Sequence, residues 1–199
     1  MDKIICIGKN YLEHAKELGD AVPENPVVFL KPPSVALHVK KRGECLTVKL
    51  PQGRGQVHYE CELILRLRAG GVIEAVSLGL DLTLRDLQAE IKKKGLPWEA
   101  AKVFPGSALL GPFIPIQEFS GYLTQPFQFL LDGKIVQEGM GHEMRFSPEY
   151  CIQYVKSLFP ICDGDVLFTG TPAGVGPLVA GQKGILRWGN QLDTQVSFE

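Results

Sequence analysis

Apolar and polar residues alternate through much of the chain, most clearly in V-H-Y-E-C-E-L-I-L-R-L, residues 57–67. A period of two puts Val57, Tyr59, Cys61, Leu63, Leu65 and Leu67 on one face and His58, Glu60, Glu62, Ile64, Arg66 and Arg68 on the other. The first face predicts a strand against a core. The second sets two carboxylates on neighbouring same-face positions, where they repel and need solvent, a cation partner or a metal. An isolated E-x-E reads as a solvated face with Arg66 or Arg68 as partners, so the rest of the chain has to decide.

The same patterning predicts a strand over 3–8 and a short helix from Tyr11 to Leu18, with Asn10 as N-cap and Gly19 as stop. A strand at Val27–Leu30 closed by prolines follows, then short strands and basic turns from Val35 to Gly55. Ala69-Gly70-Gly71 forms a hairpin turn that returns through Val72 to Leu82. The strongest helical pattern runs from Thr83 to Lys94, with T-L-R-D resembling a capping box. An Asp132-Gly133 turn joins F-Q-F-L-L to K-I-V-Q, and a helix covers Pro148–Ser157. With 22 Gly and 14 Pro and no repeat or linker, residues 1–199 read as one β-rich α+β domain with two or three short helices.

Charge and cysteine usage narrow the class. Twenty-one basic and 22 acidic residues leave a net charge of −1, so no long-range field draws the protein to nucleic acid or an anionic membrane. No apolar run has the length of a membrane span, and M-D-K-I-I-C-I-G lacks a signal peptide's apolar region, so a cytosolic or organellar location is expected. The five cysteines form no C-x-x-C pair and read as reduced thiols rather than disulfides or a zinc site.

Asp81, at the end of a strand pattern and before a helix, is a third acidic candidate. Alone it is a helix-entry residue favoured by the dipole. Joined to Glu60 and Glu62 it makes an oxygen-only ligand set, suited to Mg²⁺ or Mn²⁺ and poorly suited to zinc. His14 and Glu17, three positions apart, share a helix face with Tyr11, Ala15 and Leu18, the arrangement of a carboxylate-held general base or of an ordinary half-buried histidine. Arg85 and Gln88 share a face in the same way, and Asp81 and Arg85 are placed to pair. Lys102 lies among apolar neighbours, either snorkelling or aimed at a developing oxyanion. F-T-G-T-P-A-G-V-G-P (168–177) packs threonines and glycines into a tight loop exposing backbone amides, without the G-K-[ST] of a phosphate loop.

Six segments in order, I-G-K-N-Y-x-x-H-A-K-E, V-V-F-L-K-P, H-Y-E-C-E-L, L-G-L-D-L-T-L-R-D-L-Q, K-K-G-L-P-W-x-x-A-K-V-F and F-T-G-T-P-A-G-V-G-P, resemble the fumarylacetoacetate hydrolase family, most closely its small acylpyruvate hydrolases. The resemblance spans nearly the whole chain. It implies a mixed β-roll and a homodimer, with Mg²⁺ or Mn²⁺ on Glu60, Glu62 and Asp81. It further implies a water-activating dyad of His14 and Glu17, Lys102 at the substrate carbonyl, and Lys31, Arg85, Gln88 and Thr171 around the substrate. The short A-G-G turn departs from the longer insertion of many relatives, which implies a different site rim or dimer contact.

The activity so implied is hydrolysis of an acylpyruvate to pyruvate and a carboxylic acid. Decarboxylation or tautomerisation of oxaloacetate needs the same metal grip on an α-keto acid and is the alternative. A non-catalytic metal or keto-acid binder is the reading from another class, and the joint presence of His14, Glu17 and Lys102 argues against it.

Overall fold

Alternation along the first strand sends Ile5 and Ile7 to one core and Ile4 and Cys6 to another, and this two-sided burial sets the architecture. A computed structural model describes residues 1–17, 19, 21–41 and 43–199. Its main sheet has eight strands and mixed pairing, in the order Val27–Lys31, Ile4–Gly8, Val166–Phe168, Cys61–Arg68, Val72–Asp81, Ala108–Leu110, Ala36–His38, with Ile114–Pro115 also on Val72–Asp81. A five-stranded sheet, Lys134–Gly139, Phe127–Leu131, Lys183–Trp188, Leu192–Phe198 and Cys45–Val48, lies across the larger core. Three short strands, Gly176–Pro177, Val57–Tyr59 and Thr83–Leu84, form a third sheet. The expected α+β arrangement of mixed sheets with few helices is what forms.

Four α-helices occur among the described residues: α1 (Leu12–Glu17), α2 (Arg85–Lys93), α3 (Glu99–Lys102) and α4 (Pro148–Leu158). Three match the predicted segments; α3 is a single turn too short for periodicity to reveal. Leu18, the predicted end of the first helix, lies outside the described residues, and Gly19 takes the left-handed conformation that ends a helix (φ 64°). Two predicted caps do not form. Asn10 is fully buried, and its side chain donates to the Phe146 and Thr169 carbonyls and accepts from the Phe146 amide, so it ties three segments together. Thr83 sits in a strand, paired with His58, and its hydroxyl donates to the Asp81 carbonyl instead of capping α2. Asp86, the other half of that capping pattern, accepts from the Gln56 amide.

The strand pattern over 57–67 is interrupted at Glu60, between Val57–Tyr59 and Cys61–Arg68. Beyond that break the odd residues enter the larger core as predicted, but Ile64 on the other face is also buried, in the smaller core with Phe29, Val166 and Phe168. The E-x-E face is therefore interior and not solvated. Arg66 and Arg68 turn to Glu74.

Glu62 pairs in register with Gly79, two residues before Asp81. A Cβ at Gly79 would lie 2.6 Å from the Leu109 carbonyl oxygen and 2.9 Å from a Phe168 ring carbon. Gly79→Ala should therefore destabilise the protein by about 1–3 kcal/mol through overpacking, read as a lower urea midpoint at unchanged m-value; an unshifted midpoint would show that this strand crossing relaxes freely.

Candidate active site

Glu60, Glu62 and Asp81 present one oxygen each within 4.8 Å of one another, and all three side chains are buried. They meet because antiparallel pairing brings the start of Cys61–Arg68 beside the end of Val72–Asp81, with the Asp81 amide donating to the Glu60 carbonyl at 2.9 Å. Three cations come from three other elements. Lys102 of α3 places Nζ 2.7 Å from Glu60 Oε2 and 2.7 Å from Asp81 Oδ2, and 2.8 Å from Thr83 Oγ1. Arg85, at the start of α2, donates to Glu60 Oε1 and, at 2.6 Å, to Gln88 Oε1. It does not pair with Asp81 as the helix spacing predicted. Lys31 lies behind the cluster, fully buried, with Nζ 2.5 Å from Asp81 Oδ1 and donating to the Leu82 and Ser107 carbonyls.

These contacts decide the charge states. Burial favours a neutral Glu60, but Lys102, Arg85 and His14 outweigh it and hold this carboxyl well below its usual range. Burial likewise disfavours the Lys102 ammonium, yet Asp81 and Glu60 keep it charged to well above the ordinary lysine range. Glu62 goes the other way: burial raises it, and the charges of Asp81 and Glu60 raise it further. Its described donor is the Gly170 amide, 2.7 Å from Oε2.

A hard divalent cation fits this donor set. All three ligand groups are carboxylates, as Mg²⁺ and Mn²⁺ prefer. Asp81 Oδ1 has a charge contact with Lys31 but no donor in hydrogen-bond geometry, and Glu62 accepts from a backbone amide rather than from a lysine or arginine.

His14 lines the same cleft, together with the three acids, Arg85, Gln88, Lys102 and Thr171. Its Nδ1 is 3.2 Å from Glu17 Oε2. Glu17 stands behind the ring rather than in the cleft, and accepts from the Gly174 amide at 3.1 Å. The glycine-rich loop thus spends its exposed amides on carboxylates, Gly170 on Glu62 and Gly174 on Glu17, and not on a phosphate. Thr171 donates to the Cys61 carbonyl at 2.8 Å. Of the ten candidate residues, Lys31 and Glu17 alone do not line the cleft; both act one layer behind it. No helix among the described residues is long and apolar enough to cross a membrane.

Comparison with known proteins identifies the family of the chain. The fumarylacetoacetate (FAA) hydrolase C-terminal family matches residues 3–198. Oxaloacetate tautomerase YcgM of Escherichia coli (strain K12) is 36% identical over 98% of this chain and 93% of its own length. Mitochondrial oxaloacetate decarboxylase of Dictyostelium discoideum is 34% identical over 99% and 93%. The crystal structure of fumarylpyruvate hydrolase from Pseudomonas aeruginosa in complex with Mn²⁺ and pyruvate superposes with a TM-score of 0.89 at 31% identity, covering 99% of this chain and 90% of that one.

Gln137 escapes sequence reasoning, because a glutamine at an interior position of an edge strand carries no pattern. It is buried, accepts from the Cys61 amide at 2.9 Å, and donates to Thr171 Oγ1 at 2.8 Å and the Pro172 carbonyl at 2.9 Å. It thereby joins the backbone between the two glutamates to the loop carrying Thr171. Gln137→Leu strands these polar groups inside the protein, each at about 1–3 kcal/mol. The variant should lose several degrees in Tm, whereas an unchanged Tm would show that water or a shifted loop replaces all three bonds.

Proposed function

The chain belongs to the fumarylacetoacetate (FAA) hydrolase family, and on that premise we propose that it is an oxaloacetate tautomerase, moving a proton between carbon 3 and the 2-oxo oxygen. The observation that carries the reading is a single cleft joining a carboxylate-held histidine to three clustered carboxylates. Relatives named for oxaloacetate chemistry support the substrate. A homodimer belongs to the proposal on the family resemblance.

Glu60, Glu62 and Asp81 would hold Mg²⁺ or Mn²⁺, which when bound supplies positive charge at the 2-oxo acid end of the substrate, where negative charge gathers as carbon 3 loses its proton. Lys31 and Lys102 orient Asp81 for that task, and Lys102 also holds Glu60 ionised. Glu17 accepts from His14 Nδ1, which fixes the tautomer with its lone pair on Nε2. His14 Nε2 takes the proton from carbon 3 and gives it back to the oxygen, so one residue serves as base and acid. Arg85 and Gln88, linked to each other, orient the substrate carboxylate, with Thr171 on the opposite wall.

Acylpyruvate hydrolysis is the second reading. The similarity to a fumarylpyruvate hydrolase favours it, and the same groups suffice: His14 Nε2 takes a proton from water as it attacks the distal carbonyl, and Lys102 faces the oxyanion. Collapse of the oxyanion breaks the bond between the acyl carbon and carbon 3, the released enolate takes up the proton held by His14, and pyruvate and a carboxylic acid leave.

Two measurements test the proposal. Mn²⁺ at a hundredfold excess over its Kd should add about 2.7 kcal/mol of stability, seen as a raised Tm that Glu62→Gln abolishes; a melt indifferent to Mn²⁺ and Mg²⁺ would remove the metal from the site. His14→Ala should slow enol-to-keto conversion of oxaloacetate, followed by its ultraviolet absorbance, by about 10²–10⁴-fold while keeping the Mn²⁺-dependent Tm. Undiminished turnover would dismiss His14 as the proton carrier, and pyruvate release from acetylpyruvate without oxaloacetate tautomerisation would promote the second reading.

A further inference from the structure

Glu62 and the residue that leads into α1 meet on a single peptide group. The Gly170 amide donates to Glu62 Oε2 at 2.7 Å, and the Thr169 carbonyl of the same peptide accepts from Asn10 Nδ2 at 2.8 Å. A trans peptide is planar and points its N–H and C=O in opposite directions, so Glu62 and Asn10 lie on opposite sides of one rigid plane. Whatever fixes the carbonyl also aims the N–H.

The bonds between this loop and the neighbouring strand do not fix that plane by themselves. The Thr169 amide and hydroxyl both donate to the Leu63 carbonyl, at 3.2 and 2.8 Å, and the Thr171 hydroxyl donates to the Cys61 carbonyl. They fasten the residues on either side, but a peptide between two fixed ends can turn over through opposed changes in ψ of Thr169 and φ of Gly170. Glycine permits such a turn because both signs of φ are open to it, and Gly170 stands at φ 102°. Turned over, the peptide would set a carbonyl oxygen against the Glu62 carboxylate.

Asn10 opposes that turn from a fixed position. Its side chain is fully buried, with Oδ1 accepting from the Phe146 amide at 2.9 Å and Nδ2 donating to the Phe146 carbonyl at 3.0 Å as well as to Thr169. Only this orientation serves all three backbone partners, since the flipped amide would face its oxygen to two carbonyls. The loop packs closely on it: a Cβ at Gly170 would lie 2.7 Å from Asn10 Cβ and 3.2 Å from the Ile7 carbonyl oxygen.

We infer that Asn10 is a positioning residue for Glu62, holding the Thr169–Gly170 peptide with its N–H toward the carboxylate and so presenting Glu62 to a divalent cation. The inference rests on the metal site of the proposed function and extends it one layer outward, to a residue that does not line the cleft. The same residue stands four positions before His14, so one side chain ties the helix of the proposed base to a ligand of the proposed metal.

The calorimetric Kd for Mn²⁺ tests it on folded protein. Asn10→Ala should weaken Mn²⁺ about 10–100-fold, the usual effect of removing a group that orients a metal ligand. Val155→Ala, which hollows the core side of α4, gives a comparison variant of lowered Tm whose Kd should stay at the wild-type value, so that lost stability is separated from lost positioning. An Asn10→Ala Kd equal to the wild type's would overturn the inference, as would equal weakening in Val155→Ala. If Asn10→Ala does not fold, the wild type decides. In a Mg²⁺ titration followed by NMR, the Gly170 amide and the Asn10 side-chain amide should shift with one midpoint, and an Asn10 resonance unmoved at saturation would overturn the inference. Mn²⁺ binding by the wild type without an effect of Asn10→Ala sinks this inference alone, whereas a wild type that binds neither Mn²⁺ nor Mg²⁺ removes the metal from the proposed function and this inference with it.

Discussion

Three carboxylates removed from water are tolerable here because cations from three separate elements are placed among them. Each buried ion costs several kcal/mol before it finds a partner. Lys31 comes from an outer strand of the main sheet, Arg85 from the first turn of α2, and Lys102 from the end of α3. None of these elements can shift without exposing a carboxylate to an uncompensated interior. Much of the fold around the cleft is therefore held by the charge balance that chemistry would use, and site and scaffold are not separable parts. Glu62 is the exception that gives the arrangement direction. Its described partner is a backbone amide, and burial beside two other acids favours its neutral form.

What was legible in the sequence follows from range. The two-residue alternation beyond Glu60, the Ala69-Gly70-Gly71 turn and helix α1 are decided by neighbours in the chain, and they form much as the pattern implies. The glutamates were legible as a pair on one face, but not as buried, because burial depends on Ile64 joining a second core from across the sheet. Arg85 illustrates the limit: helix spacing offered Asp81 as its partner, whereas tertiary packing had already given Asp81 to two lysines and left Glu60 open. Asn10 and Thr83 fail as caps for the same reason. A side chain that can satisfy a buried carbonyl elsewhere is drawn there in preference to a helix end that water can reach. Gln137 had no local signal at all, since its three partners belong to segments far from it in the chain.

Glycine plays two roles around this site that a motif search would merge. At Gly170 and Gly174 it exposes amides to carboxylates of other elements. At Gly8 and Gly79 it removes a side chain so that an aromatic ring or a neighbouring strand can close in. The first role shapes electrostatics and the second shapes distance. Gly170 and Gly174 combine the two, since a Cβ there would lie 2.7 Å from Asn10 Cβ and 2.4 Å from the Val136 carbonyl oxygen, respectively.

The first strand, Ile4–Gly8, runs parallel to Val166–Phe168 and lies between it and Val27–Lys31. That pairing joins the beginning of the described chain to a segment near its end, and the loop following the later strand then holds Glu17 of α1. During synthesis the histidine-bearing helix is made well before the strand and loop that seat it. Closing so long a loop is entropically slow, and sheets built on distant pairings fold slowly as a class. The cleft is therefore a late product of folding: a nascent chain carries all three clustered acids well before it owns a place to put them.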